Sequence, residues 1–182
     1  MALAHAIMTA LIEDDLSGSE LARDFERSLG FFWHASHQQI YQELHKLAEK
    51  GWLNKREVAQ SGKPNKILYG LTAAGRQALG DWVFGTTRTQ VAKDELLVKL
   101  YNLDTGNASH LAGEIHQRRE SMMRLLYLYE TVRRRHYDDP AALPARRKGV
   151  YLALIYGISQ GEQFLAWCDQ ALEMLSTVES PA

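Results

Sequence analysis

The hydrophobic pattern of the first half of the chain has the period of a helix three times, then that of a strand twice, then that of a helix again. Helices are predicted over residues 4–13, 17–30, 36–49 and 73–84, and strands over residues 52–58 and 66–71. A Ser followed three residues later by Glu or Gln is a capping box, and the chain has two, Ser17 with Glu20 and Ser36 with Gln39. They open the second and third helices, and Gly51 ends the third in the C-cap position.

The second half of the chain has no strand signal. Helices are predicted near residues 93–103 and over residues 107–136 and 145–178. A polar, β-branched break at residues 85–89 separates the halves, so we expect two domains, residues 1–88 and residues 89–182.

The last helix repeats small and apolar residues at alternating steps of three and four, which is typical of a helix that packs along a partner helix. The residues that we expect in this seam, and at a dimer interface, are Leu154, Gly157, Gly161, Phe164, Cys168 and Leu172. The partner is either the same region of a second subunit or the helix over residues 107–136. Gly157 and Gly161 are four residues apart, which would let two helices approach closely.

Composition and charge narrow the class of protein. Of the 182 residues, 46% are hydrophobic, which is enough for one or two small globular units. The single cysteine, Cys168, excludes an intramolecular disulfide framework. No apolar run approaches the roughly 20 residues that span a bilayer, and the amino terminus lacks the basic start of a signal peptide. We therefore expect a soluble, cytoplasmic protein that does not bind membranes.

The net charge of −1 hides an uneven distribution. Residues 11–32 contain six acidic and two basic residues, a net charge of −4, whereas residues 33–76 contain seven basic and three acidic residues, a net charge of +4. A local basic segment governs the attraction of a protein to a polyanion.

Three helices, a β-hairpin and a fourth helix are the element order of a winged helix-turn-helix, so the first domain is expected to bind double-stranded DNA. On the third helix, Ile40, Leu44 and Leu47 form one inward stripe. The rest of the helix and its N-terminal end carry hydrogen-bonding groups that suit the major groove. These candidate DNA-binding residues are Ser36, His37, Gln38, Gln39, Tyr41, Gln42 and His45.

The turn of the hairpin supplies a second candidate contact. Lys63, Asn65 and Lys66 lie on or beside a tight turn, where basic side chains fit the phosphate backbone or the minor groove. The alternative is an ordinary solvated turn. The position of this turn directly after a polar helix face favours nucleic-acid contact.

Three segments resemble the PadR family of bacterial transcriptional regulators: residues 30–44 with Leu47 and residues 49–51, residues 62–69, and residues 71–76. Within the family, the Phe-Trp-x-Ala-Ser-x-Gln-Gln sequence at residues 32–39 is most similar to the subgroup that contains the virulence activator AphA. The resemblance is specific over residues 1–85. The helical second half fits the dimerisation domain of the family in length and pattern.

The resemblance implies a homodimer in the bacterial cytoplasm, associated with the nucleoid, that binds a dyad-symmetric site near a promoter. It implies that Tyr41 contacts the DNA backbone while Gln38 and Gln39 face bases. Bound near a promoter, such a protein represses by exclusion or activates through a second transcription factor. Where wings of this family commonly carry another basic residue, this chain has Ile67, which weakens the expected wing contact.

Other functions have less support in the sequence. No glycine-rich phosphate loop, nucleophile elbow or metal-ligand spacing is present, so neither an enzyme, a cofactor nor a metal site is expected. Two alternatives of the same fold stay open: a repressor that senses a small aromatic effector, and a winged-helix adaptor that binds proteins and not DNA. The aromatic residues that could line an effector cleft are Trp33, Trp82, Tyr127, Tyr129, Tyr156 and Trp167.

Overall fold

The structure is a computed structural model that describes residues 2–27, 35–59, 65–87 and 93–178. The chain divides into two compact units, Met1–Thr89 and Gln90–Ala182, called here the winged unit and the helical unit. Across the described ranges, no helix combines the length and the apolar character needed to cross a membrane.

The winged unit contains four helices and three strands within its described residues. Their order is α1 (Ala2–Ala10), β1 (Leu16–Ser17), α2 (Gly18–Arg27), α3 (His37–Glu49), β2 (Leu53–Val58), β3 (Lys66–Leu71) and α4 (Ala73–Val83). The order of helices and hairpin is the predicted one, but the first helix ends at Ala10 because residues 11–13 form a turn. The predicted end of the second helix, near Gly30, lies outside the described residues.

A three-stranded antiparallel sheet has the order β1–β3–β2. Strand β3 pairs with β2 along its whole length, from Leu53 opposite Leu71 to Val58 opposite Lys66. Strand β1 was missed by the sequence analysis because two residues are too few to show a period. It brings Ser17, and with it the start of α2, directly against β3.

The core of the winged unit lies between its helices and the sheet. The buried side chains come from α1 and the turn after it, α2, α3, β2, β3 and α4, and the large ones are Ile7, Met8, Leu11, Leu21, Phe25, Ile40, Leu44, Leu47, Leu53, Tyr69 and Leu79. The predicted inward stripe of α3 is part of this core. Burial of the stripe leaves the opposite face of α3 turned away from the core.

Helix α3 is limited by defined signals at both ends. Ser36 and Gln39 make the predicted capping box. At the other end Gly51 lies one residue beyond the C-cap, Lys50, in the left-handed region at φ +72°. The amide of Gly51 donates to the carbonyl of Ala48, and the amide of Trp52 donates to that of Leu47, each at 3.0 Å. These two bonds form a Schellman motif, which turns the chain directly into β2.

The helical unit consists of the short α5 (Glu95–Leu100) and two long helices, α6 (Ala108–His136) and α7 (Ala145–Ser176). The two long helices pack against each other and form the core of the unit. Their bounds agree with the predicted ones to within two residues.

The predicted seam of α7 faces α6 of the same chain. Leu154, Gly161 and Cys168 are buried, and Gly157, Phe164 and Leu172 are half-buried. A Cβ atom at Gly161 would lie 2.8 Å from Leu126, and one at Gly157 would lie 3.1 Å from the ring of Tyr129, so both glycines permit close helix approach. Of the two partners that the sequence analysis left open, the structure contains the helix over residues 107–136.

Candidate nucleic-acid interface

The face of α3 opposite its leucines is exposed. All of the predicted contact residues on and before this helix are solvent-accessible in the chain, namely Ser36, His37, Gln38, Gln39, Tyr41, Gln42 and His45. At 1.5 Å per residue the thirteen residues of α3 form a rod about 20 Å long, enough to lie along a major groove.

The glutamines of this face differ in their hydrogen bonds. The side-chain oxygen of Gln39 accepts from the Ser36 amide at 2.9 Å, and the Ser36 hydroxyl accepts from the Gln39 amide at 3.2 Å. Both side chains therefore serve the helix N-terminus. Gln38 and Gln42, one helical turn apart, make no side-chain hydrogen bond to any residue that the structure describes, so their amides are available to a ligand.

Lys55 joins this surface and was missed by the sequence analysis. Its Nζ lies 3.4 Å from Nδ1 of His45, so that β2 and α3 contribute neighbouring polar groups. The signal was the alternation along β2, since Lys55 lies two residues after the buried Leu53 and therefore on the same side of the strand. An exposed lysine beside α3 adds positive charge to this surface.

Tyr41 is 41% exposed and lies over the start of α2. A Cβ atom at Gly18 would meet the Tyr41 ring, with Cζ at 2.7 Å, so a glycine is what allows the ring to lie there. Burial, and to a smaller extent Tyr41, raise the pKa of the nearby Tyr69 phenol.

The wing is defined here as β2, β3 and the segment that joins them. Its predicted contact residues Asn65 and Lys66 are bound to carboxylates of the chain itself. Asn65 donates to the Glu57 carboxylate at 2.7 Å, and Ile67 is exposed on β3. Lys63 lies outside the described residues. The ammonium of Lys66 is bound to Oε1 of Glu20 on α2 at 2.6 Å. The structure thus brings Lys66 to α2 and not to the exposed face of α3.

The carboxylate of Glu20 is strongly perturbed by these contacts. Hydrogen bonds from the Lys66 ammonium, and then from Ser17, lower the pKa of Glu20 to about 2. The carboxylate is therefore ionised throughout the physiological pH range and holds Lys66 as an ion pair.

The helical unit contains a second candidate site, an open groove of about 490 Å³. It is lined by Asp94, Gln117, Arg118, Ser121, Met122, Leu125 and Phe164. Arg118 donates to Asp94 at 2.7 and 2.8 Å and to Glu114 at 3.0 Å, and the first of these pairs lowers the pKa of Asp94. The charged side chains of the groove are thus paired with one another. The remaining lining is apolar, from Met122, Leu125 and Phe164, or neutral and polar, from Gln117 and Ser121.

The aromatic residues that were candidates for an effector cleft lie in different environments in the described part of the chain. Trp82 stacks on His5 at 4.4 Å, Tyr129 is buried between α6 and α7, and Tyr127 and Tyr156 are exposed. Trp167 stacks on Phe164, which lines the groove. Trp33 lies outside the described residues.

Neither thiol nor metal chemistry is indicated in the described residues. Cys168 is fully buried, and this burial raises the pKa of its thiol, so the reactive thiolate is disfavoured. In the four described ranges, no three His, Cys, Asp or Glu side chains are grouped to hold a metal ion.

Comparison with known families gives two matches that together span most of the chain. The transcriptional regulator PadR-like family matches residues 7–81, and the virulence activator alpha C-terminal family matches residues 92–176. The chain is 34% identical to the probable transcriptional regulator Rv1176c of Mycobacterium tuberculosis, over 96% of this chain and 98% of that protein. It is 32% identical to the negative transcriptional regulator PadR of Bacillus subtilis, over 95% and 97% of the two chains.

Solved structures give the same result. Bacillus subtilis PadR in complex with operator DNA superposes with a TM-score of 0.79 at 29% identity, covering 96% of this chain and 99% of that chain. The same protein in complex with p-coumaric acid gives a TM-score of 0.74 at 28% identity, over 97% and 99%. The Vibrio cholerae virulence activator AphA gives 0.76 at 29% identity, over 96% and 98%. The predicted winged-helix fold with a helical C-terminal domain is confirmed, and so is the resemblance to the PadR family.

Proposed function

Because the chain belongs to the PadR-like family of transcriptional regulators, we propose that it binds double-stranded DNA as a homodimer at a dyad-symmetric promoter site. Helix α3 of each subunit enters the major groove, and the wing lies against the adjoining backbone. The two copies of α3 then occupy successive major grooves about 34 Å apart.

The observation that carries this proposal is a pair of exposed amides on α3 that bond to no residue in the described part of the chain. A glutamine amide can donate to N7-bearing purine edges and accept from the amino group of adenine in the major groove, so Gln38 and Gln42 are the proposed base readers. Tyr41, His45, Lys55 and Lys63 are proposed to contact the backbone, which sets position and salt dependence but carries little sequence information.

The dimer is proposed to form through the outer face of the helical unit. The six residues first expected at the interface are buried or half-buried within the chain itself, so we propose that a partner meets the exposed side of α7. On that side Leu152, Tyr156 and Met174 are each more than 60% exposed and share one helical face by their spacing. Exposed apolar side chains of this size are typical of a protein–protein contact.

The test is selection of bound fragments from the source genome, followed by titration of one selected duplex and of a scrambled duplex of the same composition. The proposal predicts preference for the selected duplex, two half-sites related by a dyad about one helical turn apart, and affinity that falls steeply with salt. An adaptor that binds only proteins would select no duplex, and that result would refute the proposal.

A second candidate function is the sensing of an aromatic compound, as an addition to DNA binding. Bacillus subtilis PadR has been solved with p-coumaric acid. In this chain the groove beside Phe164 offers apolar contacts to an aromatic ring and the amide of Gln117 to a polar substituent. Titration with a panel of phenolic compounds should quench the tryptophan fluorescence to saturation, because Trp167 stacks on Phe164. Trp167→Phe should lose that part of the quenching. Fluorescence unchanged by every compound would contradict this function.

A further inference from the structure

The turn formed by residues 17–20, which joins the last residue of β1 to the start of α2, touches each element that the proposed function assigns to DNA. Ser17 pairs with Leu68 of β3 and is 5% exposed. The next residue, Gly18, lies under the ring of Tyr41 on α3. Two residues later Glu20 binds Lys66 at the start of the wing strand β3. This single turn therefore contacts both α3 and the wing.

The two oxygens of Glu20 have separate partners. Oε2 accepts from the Ser17 amide at 3.0 Å and from the Ser17 hydroxyl at 2.8 Å, which completes the capping box of α2. Oε1 accepts from the Lys66 ammonium at 2.6 Å. The residues are 46 positions apart in the chain, so the ion pair fixes the wing strand to the helix. Both side chains are only about a third exposed, which limits screening by water.

The other capping box of the chain shows what capping alone requires. There Gln39, which is neutral, accepts from the Ser36 amide as Glu20 does from Ser17. A glutamine therefore suffices to cap a helix, and the charge of Glu20 is used for the contact with Lys66.

We propose that the turn formed by residues 17–20 sets the position of the wing relative to α3. In this arrangement Glu20 is a positioning residue, and Lys66 is a tether that does not contact phosphate. The proposal rests on the proposed function, because it concerns how the two DNA-binding elements are held together. It changes the role of Lys66 from the one expected from the sequence and leaves Lys55 and Lys63 as backbone contacts.

A double-mutant cycle with Glu20→Gln and Lys66→Met tests the tether, since the glutamine of the first variant can still cap α2. Each single variant is expected to weaken binding to a duplex selected by the wild-type protein by roughly three- to thirtyfold, and the double variant no further than the singles. The scrambled duplex should be affected less. The slope of log affinity against log salt should stay unchanged in Lys66→Met, because a tethered ammonium releases no counterion on binding.

Two outcomes would overturn the tether. One is a salt slope smaller by about one in Lys66→Met, with equal losses on both duplexes, since that is the behaviour of a phosphate contact. The other is additivity of the two substitutions. Glu49→Gln is the matched control, because it removes one exposed carboxylate from α3 and tests whether a change in net charge alone has the same effect.

The same cycle is measured without DNA, by thermal unfolding of the four proteins. Non-additive stabilities show the Glu20–Lys66 coupling directly, and additive stabilities refute it. If the wild-type protein selects no duplex, the proposed function fails, whereas selection together with an additive cycle refutes only the tether.

The contact between Gly18 and Tyr41 is tested by Gly18→Ala. The added methyl group must displace the Tyr41 ring, so affinity for the selected duplex should fall roughly three- to tenfold while the protein stays folded. Gly80→Ala on α4 is the control, because a Cβ there meets nothing within 4 Å, and it should leave affinity unchanged. Equal affinities of the two variants would show that the position of Tyr41 does not matter for binding.

Discussion

Helices α3 and α7 each bury one stripe of side chains and expose the opposite face, but the exposed faces differ. On α3 the exposed face carries Gln38, Gln42 and His45, whereas on α7 it carries Leu152 and Tyr156. Exposed hydrogen-bonding groups suit the polar edges of bases, and exposed apolar groups suit a second protein surface. The buried stripe of each helix therefore identifies its core, and the exposed stripe is the basis on which its partner is proposed.

The largest effect is expected inside the helical unit, at Gly161→Leu. A side chain there must displace Leu126 and Met122 on α6, and overpacking of this kind costs about 2–3 kcal/mol of the free energy of unfolding. Urea unfolding followed by circular dichroism measures it. Gly113→Ala on α6, where a Cβ meets nothing within 4 Å, should instead stabilise the protein by about 0.5–1 kcal/mol. A neutral Gly161→Leu would contradict the close packing of α6 on α7.

The next effect is expected on the outer face of α7, at Tyr156→Glu. A charge placed in the proposed dimer contact should weaken dimerisation by about 2 kcal/mol, or roughly thirtyfold, without unfolding the subunit. Sedimentation equilibrium measures the dissociation constant. Ser109→Glu adds the same charge at the exposed start of α6 and should leave the dimer unchanged. Equal dissociation constants for wild type and Tyr156→Glu would place the interface elsewhere.

A smaller effect is expected at the N-terminus of α3, from Ser36→Ala. Loss of the hydroxyl that accepts from the Gln39 amide should lower the free energy of unfolding by about 1 kcal/mol. Gln38→Ala is the control for stability, because its side chain has no hydrogen bond within the described chain. Thermal unfolding of both variants measures the difference, and equal melting temperatures would mean that the Ser36 capping box contributes nothing to stability.

The smallest effect depends on pH and concerns Glu20. Its pKa is about 2 in the folded chain against an ordinary value of 4.5, so its stabilising contribution is complete above pH 4.5 and is lost as the pH falls towards 2. At pH 7, Glu20→Gln should be less stable than wild type by about 1 kcal/mol or less. At pH 2 to 3 the gap should narrow. A gap of constant size from pH 7 to pH 2 would show that the carboxylate charge contributes nothing.

Local signals predicted most of the fold. The capping boxes at Ser17 and Ser36, the strand alternation and the long helical repeats placed nearly every described element within a few residues. Strand β1 escaped because two residues show no period, and its pairing with β3 depends on a contact that is distant in sequence. Periodicity showed that Gly161 and Cys168 lie in a helix seam but could not show which helix fills it, because the repeat carries no identity of the partner.

The candidate site was also predictable where it depends on local pattern, and not where it depends on contacts between distant residues. The exposed face of α3 follows from the position of its leucines, since the two faces of one helix are complementary. The contact of Lys66 with Glu20 was not predictable, because it joins residues 46 positions apart through the fold of β3 onto α2. Lys55 was predictable, because residues two apart in a strand lie on the same side and Lys55 follows the buried Leu53 by two.

The most direct test of the proposed recognition surface compares Gln38→Ala with Lys63→Ala on two duplexes, one selected by the wild-type protein and one scrambled. The account predicts that Gln38→Ala weakens binding to the selected duplex by about 1–3 kcal/mol and leaves the scrambled duplex almost unchanged, because a base contact carries the sequence preference. Lys63→Ala should weaken both duplexes alike and lower the salt slope by about one. Equal losses on both duplexes from Gln38→Ala would contradict the assignment of the exposed face of α3 as the base-reading surface.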